Sequence, residues 1–277
     1  MENLRVMVVA AHPDEADMYA GGTAALFAQA GAAVKFLSIT CGDAGHYQIG
    51  GLQLAQRRNE EAQQAAKCLG IQEYEVLNEH DGELYPTLAV RNQVIERVRR
   101  WAPDILIGFH PDGWGHPDNR NAGRVLSDAV AFVSVPNVLP NIPAVTKPIL
   151  CLWMWDFSTM DIHQHDIALD VTPTIEKKLL ACDAHATQFY EFAPWSRGFL
   201  DEVPQGWTEK KAFILKYWPE FMYTQPAQRN RLERTYGADT AQKIQFAESF
   251  QIAPYGLQPS AEDLARLFPM LAGLPVK

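Results

Sequence analysis

The chain has 277 residues, of which 47% are hydrophobic and 21% charged, and its formal net charge is −9. This composition is typical of a folded globular protein, and the negative charge argues against nucleic acid as a main partner. The apolar stretches are shorter than the roughly 20 residues that a membrane span needs, and no signal-peptide pattern opens the chain. We therefore expect a cytoplasmic protein without a membrane span. The cysteines are scattered without a C-x-x-C pair, which argues against a disulfide framework and a cysteine-based zinc site.

Short, β-branched apolar runs alternate with helical patterns along most of the chain. The predicted strands are residues 5–11, 34–40, 73–77, 104–109 and 149–155. One predicted helix opens at Gly21, and a second one ends at Gly70. Two more cover residues 90–101 and 122–133. This alternation predicts an α/β fold, a single Rossmann-like domain with a mainly parallel sheet and helices on both faces. The core is expected to span about residues 1–190, and residues 191–277 are expected to add helical decoration.

Polar clusters follow four of these strands directly. They occupy residues 11–17, 41–46, 80–83 and 110–124. Ligands of open α/β sheets bind at the carboxyl ends of the strands. The four clusters are therefore expected to meet at one rim of the sheet.

The first cluster combines an imidazole with carboxylates in one tight turn. His12, Asp14, Glu15 and Asp17 offer nitrogen and oxygen ligands for a divalent metal and leave a carboxylate free as a base. The alternative is a solvated loop whose acidic residue caps a helix. The glycine-rich dinucleotide fingerprint is absent from this turn, which argues against a nucleotide cofactor.

The fourth cluster contains two His-Pro-Asp triplets, which begin at His110 and His116. A histidine beside a carboxylate is the usual arrangement for an oriented acid, base or metal ligand. Together with the first cluster, this repetition predicts a metal or acid–base site. His163, His165 and His185 are weaker candidates, because isolated histidines more often have a structural role.

Several motifs together carry a family resemblance. AHPDE followed by GGT, then SITCGDAGHY, RRNEEAQQAAKCLGI, DGEL and GHPDNRNAGR, resemble the PIG-L/LmbE-like family of metal-dependent N-acetylglucosaminyl deacetylases. DVT, KKLLACDAHATQ and FAESF match its C-terminal markers. The resemblance follows the order of the family motifs over almost the whole chain.

The resemblance implies the catalytic residues. Asp14 corresponds to the general base of the family. His116 and Asp118 correspond to the pair that stabilises the negative charge of the transition state. On this assignment, Asp14 removes a proton from water and passes it to the leaving amine.

The resemblance also implies a metal site, from which this sequence departs at two positions. His12 matches a family ligand, whereas Glu15 stands where an aspartate ligand is expected and Asn119 where the last histidine ligand is expected. Glutamate can ligate with one more methylene group, but an amide oxygen is a poor zinc donor. His110 is a nearby imidazole that could replace the missing ligand. The implied cofactor is a divalent metal, with zinc as the family metal.

The remaining matches concern the substrate. Arg57, Arg58 and Asp81 resemble polar residues around the sugar in the family, and Trp114 stands where some members carry a tyrosine. The alternatives are a helix-surface arginine and an Asp-Gly turn.

The leading functional hypothesis is a zinc-dependent hydrolase that removes the acetyl group from an N-acetylglucosamine-type sugar or its conjugate. The alternative is a degenerate family member that binds such a sugar without efficient hydrolysis. A small-molecule amino sugar is the expected partner, and the sequence leaves a homo-oligomer open.

Overall fold

A seven-stranded mixed sheet forms the centre of the protein, in the order β3-β2-β1-β4-β5-β7-β6. The computed structural model describes residues 4–157 and 162–274. The strands are β1 (Arg5–Ala10), β2 (Ala33–Thr40), β3 (Glu73–Glu79), β4 (Ile105–Gly108), β5 (Leu150–Met154), β6 (Ile167–Asp170) and β7 (Ala247–Ile252). The first five are parallel neighbours, and β7 runs antiparallel to β5 and β6. The predicted α/β fold is confirmed.

The apolar run at the start of the chain forms the middle of the parallel part. Strand β1 pairs with β2 on one side and with β4 on the other, and its residues from Val6 to Ala10 are almost fully buried. A strand covered on both faces needs such a continuous apolar sequence. The chain reverses its winding direction between β1 and β4, so the loops after these two strands flank the place where ligands bind in such sheets.

Helices connect and cover the strands. They are α1 (Glu15–Gln29), α2 (Gly51–Leu69), α3 (Leu88–Trp101), α4 (Pro117–Val130), α5 (Ile175–Ala184), α6 (Ala193–Arg197), α7 (Trp207–Tyr217), α8 (Pro219–Met222), α9 (Pro226–Tyr236), α10 (Ala238–Ala241) and α11 (Ala261–Leu267). Helices α1, α2 and α5 pack together, and α3 packs on α4. Among the described residues, no helix has the length and apolar character needed to cross a membrane.

Two helices begin earlier than the sequence pattern predicted. Helix α1 begins at Glu15, and the glycine pair expected to open it lies inside the helix. A Cβ atom on Gly22 would lie 2.7 Å from the side chain of Val171, so this glycine serves close packing rather than initiation. Helix α4 begins at Pro117 because His116 caps its N-terminus and proline is favoured in the first turn.

The C-terminal part contributes a strand to the sheet in addition to the expected helices. Strand β7 contains Glu248, which is 4% exposed and accepts hydrogen bonds from the amides of Gly22 and Thr23 at 2.9 and 2.7 Å. The ammonium group of Lys178, on α5, lies 2.8 Å from the same carboxylate. The sequence did not predict this strand, because the burial of Glu248 depends on partners that are distant along the chain, namely Lys178 and the amides of Gly22 and Thr23.

Candidate active site

A cleft of about 360 Å³ opens at the carboxyl ends of the parallel strands. The loops after β1, β2, β3 and β4 supply its walls, as the polar clusters predicted. The segment after α5, which those clusters did not indicate, supplies Gln188 and Phe192. Its lining residues are His12, Asp14, Glu15, Met18, Ala44, Gly45, Arg58, Asp81, Gly82, His116, Gln188 and Phe192. Six of these residues are ionisable, and we call them the charged floor: His12, Asp14, Glu15, Arg58, Asp81 and His116. The uncharged lining residues form the outer wall.

His12 lies at the centre of the charged floor and contacts carboxylates through both ring nitrogens. Its Nδ1 lies 3.1 Å from Glu15, while its Nε2 lies 3.0 Å from Asp81 and 3.3 Å from Asp118. Burial alone would lower the pKa of His12, but attraction to Glu15 and hydrogen bonds to Asp118, Asp81 and Glu15 raise it well above its usual range. Burial raises the pKa of Asp81, but its hydrogen bond and attraction to His12, with the nearby positive charges of Arg58 and His116, lower it to about 2.

Three side chains offer a set of donor atoms for a metal ion. One ligand atom each from His12, Asp81 and His116 lies within 4.8 Å of the other two. The rings of the two histidines meet edge to face, with their centroids 4.8 Å apart. Two imidazole nitrogens and one carboxylate oxygen are a donor set that zinc accepts readily. The residues present therefore fit a divalent metal.

The two positions that depart from the family pattern have different surroundings. Oε2 of Glu15 accepts the amide hydrogens of Ala11 and His12 at 3.0 and 2.8 Å, and Oε1 faces Nδ1 of His12. The side-chain oxygen of Asn119 is buried and has no hydrogen-bond partner within the described residues. Both oxygens of Glu15 thus contact His12 or its neighbouring backbone, whereas the Asn119 oxygen is a buried acceptor without a partner among these residues. Metal binding by Glu15 and Asn119 stays a prediction.

Asp14 combines burial with backbone strain. Its φ angle of 144° is a conformation that L-residues with a side chain rarely adopt. Burial raises the pKa of Asp14 to about 6, although Arg58 and His185 act in the opposite direction. Such a carboxylate can both accept and release a proton near neutral pH.

Arg58 positions the acidic groups rather than pointing freely into the cleft. It is 2% exposed and donates to the carbonyls of Gly42 and Pro13 and to Oδ1 of Asp14, at 3.1, 2.9 and 3.2 Å. It also lies 3.6 Å from Asp81. Gly42 has a φ angle of 68°, which favours glycine, and a Cβ atom there would lie 2.4 Å from the guanidinium group.

A buried chain of hydrogen bonds lies beneath Asp14, and the sequence did not predict that its members contact one another. The hydroxyl group of Tyr74 accepts the Asp14 amide hydrogen at 3.1 Å and donates to Asp17 at 3.2 Å. His185 contacts the same oxygen of Asp17 at 3.0 Å, and both of these side chains are completely buried. Asp17 and His185 were visible as candidates, but Tyr74 lies within a predicted strand, and no sequence signal indicated where its hydroxyl group points.

Other predicted site residues lie around the cleft. Asp118 is 1% exposed and accepts the amide hydrogens of Gly82 and Leu84 at 2.7 and 3.2 Å, which fixes the loop that carries Asp81.

Arg57 forms ion pairs with Glu191 and Glu61. Trp114 is 85% exposed in the loop that leads to His116. His110 is buried and packs on Trp153, with ring centroids 4.1 Å apart. Arg57, Trp114 and His110 are not among the residues that line the cleft.

The outer wall of the cleft comes partly from an irregular segment. Residues Thr187–Phe192 form a π-helical turn, a feature often found at functional sites. Gln188 of this turn donates to the carbonyl of Gly45 at 3.0 Å. The turn therefore joins the loop after β2 to the C-terminal part of the chain.

Comparison with known proteins identifies the family that this chain resembles. The profile of the PIG-L family, described as GlcNAc-PI de-N-acetylase, matches residues 7–130. The diacetylchitobiose deacetylase of Thermococcus kodakarensis is 31% identical over 194 residues, which cover 68% of this chain and 71% of that protein.

Two solved structures share the fold. The N,N'-diacetylchitobiose deacetylase of Pyrococcus horikoshii aligns with a TM-score of 0.69 and 23% identity, over 94% of this chain and 89% of that one. GalB, the 4-carboxy-2-hydroxymuconate hydratase of Pseudomonas putida KT2440, aligns with a TM-score of 0.69 and 20% identity, over 93% of this chain and 100% of that one. Since these two proteins carry out different reactions, the fold alone does not define the chemistry.

Proposed function

We propose that this chain, which belongs to the PIG-L family, is a metal-dependent hydrolase that removes the N-acetyl group from an N-acetylglucosamine-type sugar or its conjugate. The observation that carries the proposal is the meeting of His12, Asp81 and His116 beside the buried carboxylate of Asp14 in one cleft. Amide hydrolysis needs an electrophilic centre and a base that work side by side. The 31% identical relative is a deacetylase of an N-acetylated sugar, which supports this reaction over others that the fold could host.

We assign the metal to His12, Asp81 and His116, and zinc suits these donors. A bound divalent cation supplies a Lewis acid, which polarises a carbonyl group and makes water a stronger acid. Glu15 fixes the ring of His12 so that Nε2 points toward Asp81. The resemblance implies a different set, His12 with Glu15 and Asn119, and the two sets predict different effects of substitution.

Asp14 is the proposed general base. Its carboxylate accepts a proton from the attacking water and delivers that proton to the nitrogen of the leaving amine, so the side chain returns to its starting state. Arg58, which donates to Oδ1 at 3.2 Å, fixes one oxygen and leaves the other for this exchange. A pKa near 6 suits both halves of the proton transfer at neutral pH.

His116 and Asp118 complete the proposed machinery. Nδ1 of His116 accepts the amide hydrogen of Asp118 at 3.3 Å, which orients the ring at the N-terminus of α4. In the set that we assign, His116 is a metal ligand. Only in the family set would its Nε2 be free to stabilise the negative charge that develops on the carbonyl oxygen. Arg57 and Trp114 remain proposed substrate contacts, and the cytoplasmic location stays a prediction.

The test combines metal analysis with an amine-release assay. The purified protein is analysed for metal content and then assayed for release of free amine from N-acetylglucosamine and diacetylchitobiose, before and after chelation. We expect release that chelation abolishes and zinc restores. Release that is unaffected by complete metal removal would contradict the metal-dependent mechanism. Sugar binding without release would instead identify the degenerate family member.

A further inference from the structure

A second cleft, of about 740 Å³, lies away from the candidate active site. It is lined by residues of the segments 127–134 and 145–149, together with Arg91, Tyr255 and Gly256. The segment 145–149 leads into the amino end of β5, whereas the candidate active site lies at the carboxyl ends of the strands. Among the described residues, none lines both clefts. We call this second site the distal cleft.

The inner wall of the distal cleft is apolar. Val133, Val145 and Ile149 line it and are 4, 6 and 5% exposed. Phe132 and Tyr255 add aromatic rings to the same lining. Pockets that bind small molecules commonly combine such a wall with a few polar groups that fix the orientation of the ligand. The distal cleft can therefore take up the apolar part of a ligand and remove it from water.

Arg99, on α3, fixes the segment that forms much of this wall. The residue is 5% exposed, and its guanidinium group donates to six carbonyl groups at distances between 2.6 and 3.2 Å. These belong to Phe132, Val133, Val135, Val138, Leu139 and Ile142. Because these hydrogen bonds hold the segment in place without a ligand, binding against it costs little ordering entropy.

Arg91, about two turns earlier on the same helix, lines the distal cleft without such partners. Its Cζ lies 4.5 Å from the centroid of the Phe132 ring. Its side chain donates no hydrogen bond to a described residue, and its Nε is buried without a partner. Within the described part of the chain, Asp128 of the same lining forms no ion pair with Arg91, and Lys147 is paired with Asp104 at 2.6 Å. Arg91 therefore has donors to offer to an anionic ligand.

We propose that the distal cleft binds a small monocarboxylic acid with an apolar body, whose carboxylate pairs with Arg91. A guanidinium group binds a carboxylate through two parallel N–H···O hydrogen bonds. Its N–H bonds lie in its plane, so one face can keep the contact with the Phe132 ring. A single unpaired arginine balances one negative charge, which favours a monocarboxylate over a dicarboxylate or a phosphate. This inference is independent of the proposed deacetylase function.

The first test compares three ligands that share one apolar chain. Octanoate, octan-1-ol and octylamine are titrated into the protein by isothermal titration calorimetry. We expect octanoate to bind about tenfold or more tightly than the other two, because only octanoate forms a charge-assisted pair with Arg91. Equal affinity for the three ligands would overturn the recognition of a carboxylate.

The second test asks whether Arg91 produces this preference. Arg91→Met keeps an apolar stem and should weaken octanoate binding by about tenfold or more, while the affinity for octan-1-ol changes little. Arg91→Glu should reverse the preference, so that octylamine binds more tightly than octanoate. Arg100→Met is the matched control, because Arg100 lies on the same helix, has a side chain that is 66% exposed and is not among the lining residues. Circular dichroism checks that each variant is folded.

The outcomes separate binding in the distal cleft from binding elsewhere. Octanoate that coordinates the proposed metal would bind the original protein and Arg91→Met equally, and this result would overturn the proposal. Equal losses in Arg91→Met and Arg100→Met would also overturn it, because Arg100 is outside the cleft. Amine release is measured on the same preparations. An active deacetylase that does not bind octanoate would contradict this inference alone, whereas octanoate binding by a protein that releases no amine would contradict the proposed function alone.

Discussion

The carboxylate of Glu15 lies against both the ring and the backbone of His12. Its Oε1 is 3.1 Å from Nδ1, and its Oε2 accepts the His12 amide hydrogen at 2.8 Å. A side chain engaged in this way orients the imidazole and holds its second nitrogen toward the cleft. The longer glutamate therefore has a structural explanation at the position where the family resemblance implies an aspartate ligand.

This geometry predicts which substitutions weaken metal binding most. Asp81→Asn should lower zinc affinity strongly, because it removes the charged oxygen donor of the proposed set. Glu15→Gln should lower it by about 10- to 100-fold, the usual effect of losing a group that orients a ligand. Asn119→Ala should have little effect. Isothermal titration of the metal-free variants with zinc measures all three.

Asn119→His distinguishes the two possible ligand sets. If the family set holds the metal, the new imidazole should tighten zinc binding and raise activity. If His12, Asp81 and His116 hold it, the affinity should remain within a few-fold of the original. A large gain in affinity from Asn119→His, together with no loss from Asp81→Asn, would refute our assignment. His110→Ala serves as the control for a relocated histidine ligand.

Asp14→Asn tests the general base. Because asparagine cannot accept the proton, kcat should fall by about 10²- to 10⁴-fold. Zinc affinity should stay close to that of the unaltered protein, since Asp14 is not among the three proposed ligands. Steady-state kinetics and zinc titration are measured on the same preparation. Near-normal turnover would show that Asp14 is not the general base.

Tyr74→Phe tests the buried chain beneath Asp14. The variant removes the hydroxyl group that accepts the Asp14 amide hydrogen and donates to Asp17. The strained backbone of Asp14 should relax, so we expect kcat to fall by about tenfold while KM changes little. Tyr190→Phe is the control, since it removes a hydroxyl group that donates to Asp183 away from the cleft. Equal effects of the two variants on kcat would show that Tyr74 acts through general stability alone.

The sequence predicts the parallel part of the fold well because local signals suffice there. The apolar run from Val6 to Ala10 is readable as a buried strand, and the rule about strand ends brings His12 and His116 together across about 100 residues. Strand β7 was not predicted from the sequence. The burial of Glu248 depends on Lys178, 70 positions away, and no local pattern encodes such a pair.

In the site, too, the sequence identifies some residues, whereas other contacts depend on the folded structure. The residue types of the polar loops identify His12, Asp14 and His116 as candidates, since imidazoles and carboxylates that follow neighbouring parallel strands meet at one edge of the sheet. The role of Asp81 as a partner of His12, in place of a sugar contact, follows from a distance of 3.0 Å that only the folded chain defines. The same holds for Tyr74, whose hydroxyl direction depends on the register of β3 and on the packing of α1.

The last prediction concerns His163, which gives the protein a specific sensitivity to acid. His163 is 7% exposed, and neither ring nitrogen has a hydrogen-bond partner among the described residues. Burial, assisted by the nearby His165 and His110, lowers the pKa of His163 to about 3. In the unfolded chain its pKa returns to about 6.5. Between these values the unfolded state binds more protons than the folded state, so the free energy of unfolding falls as the pH drops below about 6.5.

At pH 5 this single group should cost about 2 kcal/mol relative to pH 7.5, which follows from about 1.4 kcal/mol per pH unit. His163→Phe replaces the ring with an apolar ring of similar size and should remove that part of the loss. Urea unfolding at both pH values, on the original protein and the variant, gives the two differences to compare. An identical pH dependence in both proteins would show that His163 is not the group responsible. A smaller loss in His163→Phe, even if that variant is less stable at pH 7.5, would support the prediction, because the comparison uses the change with pH and not the absolute stability.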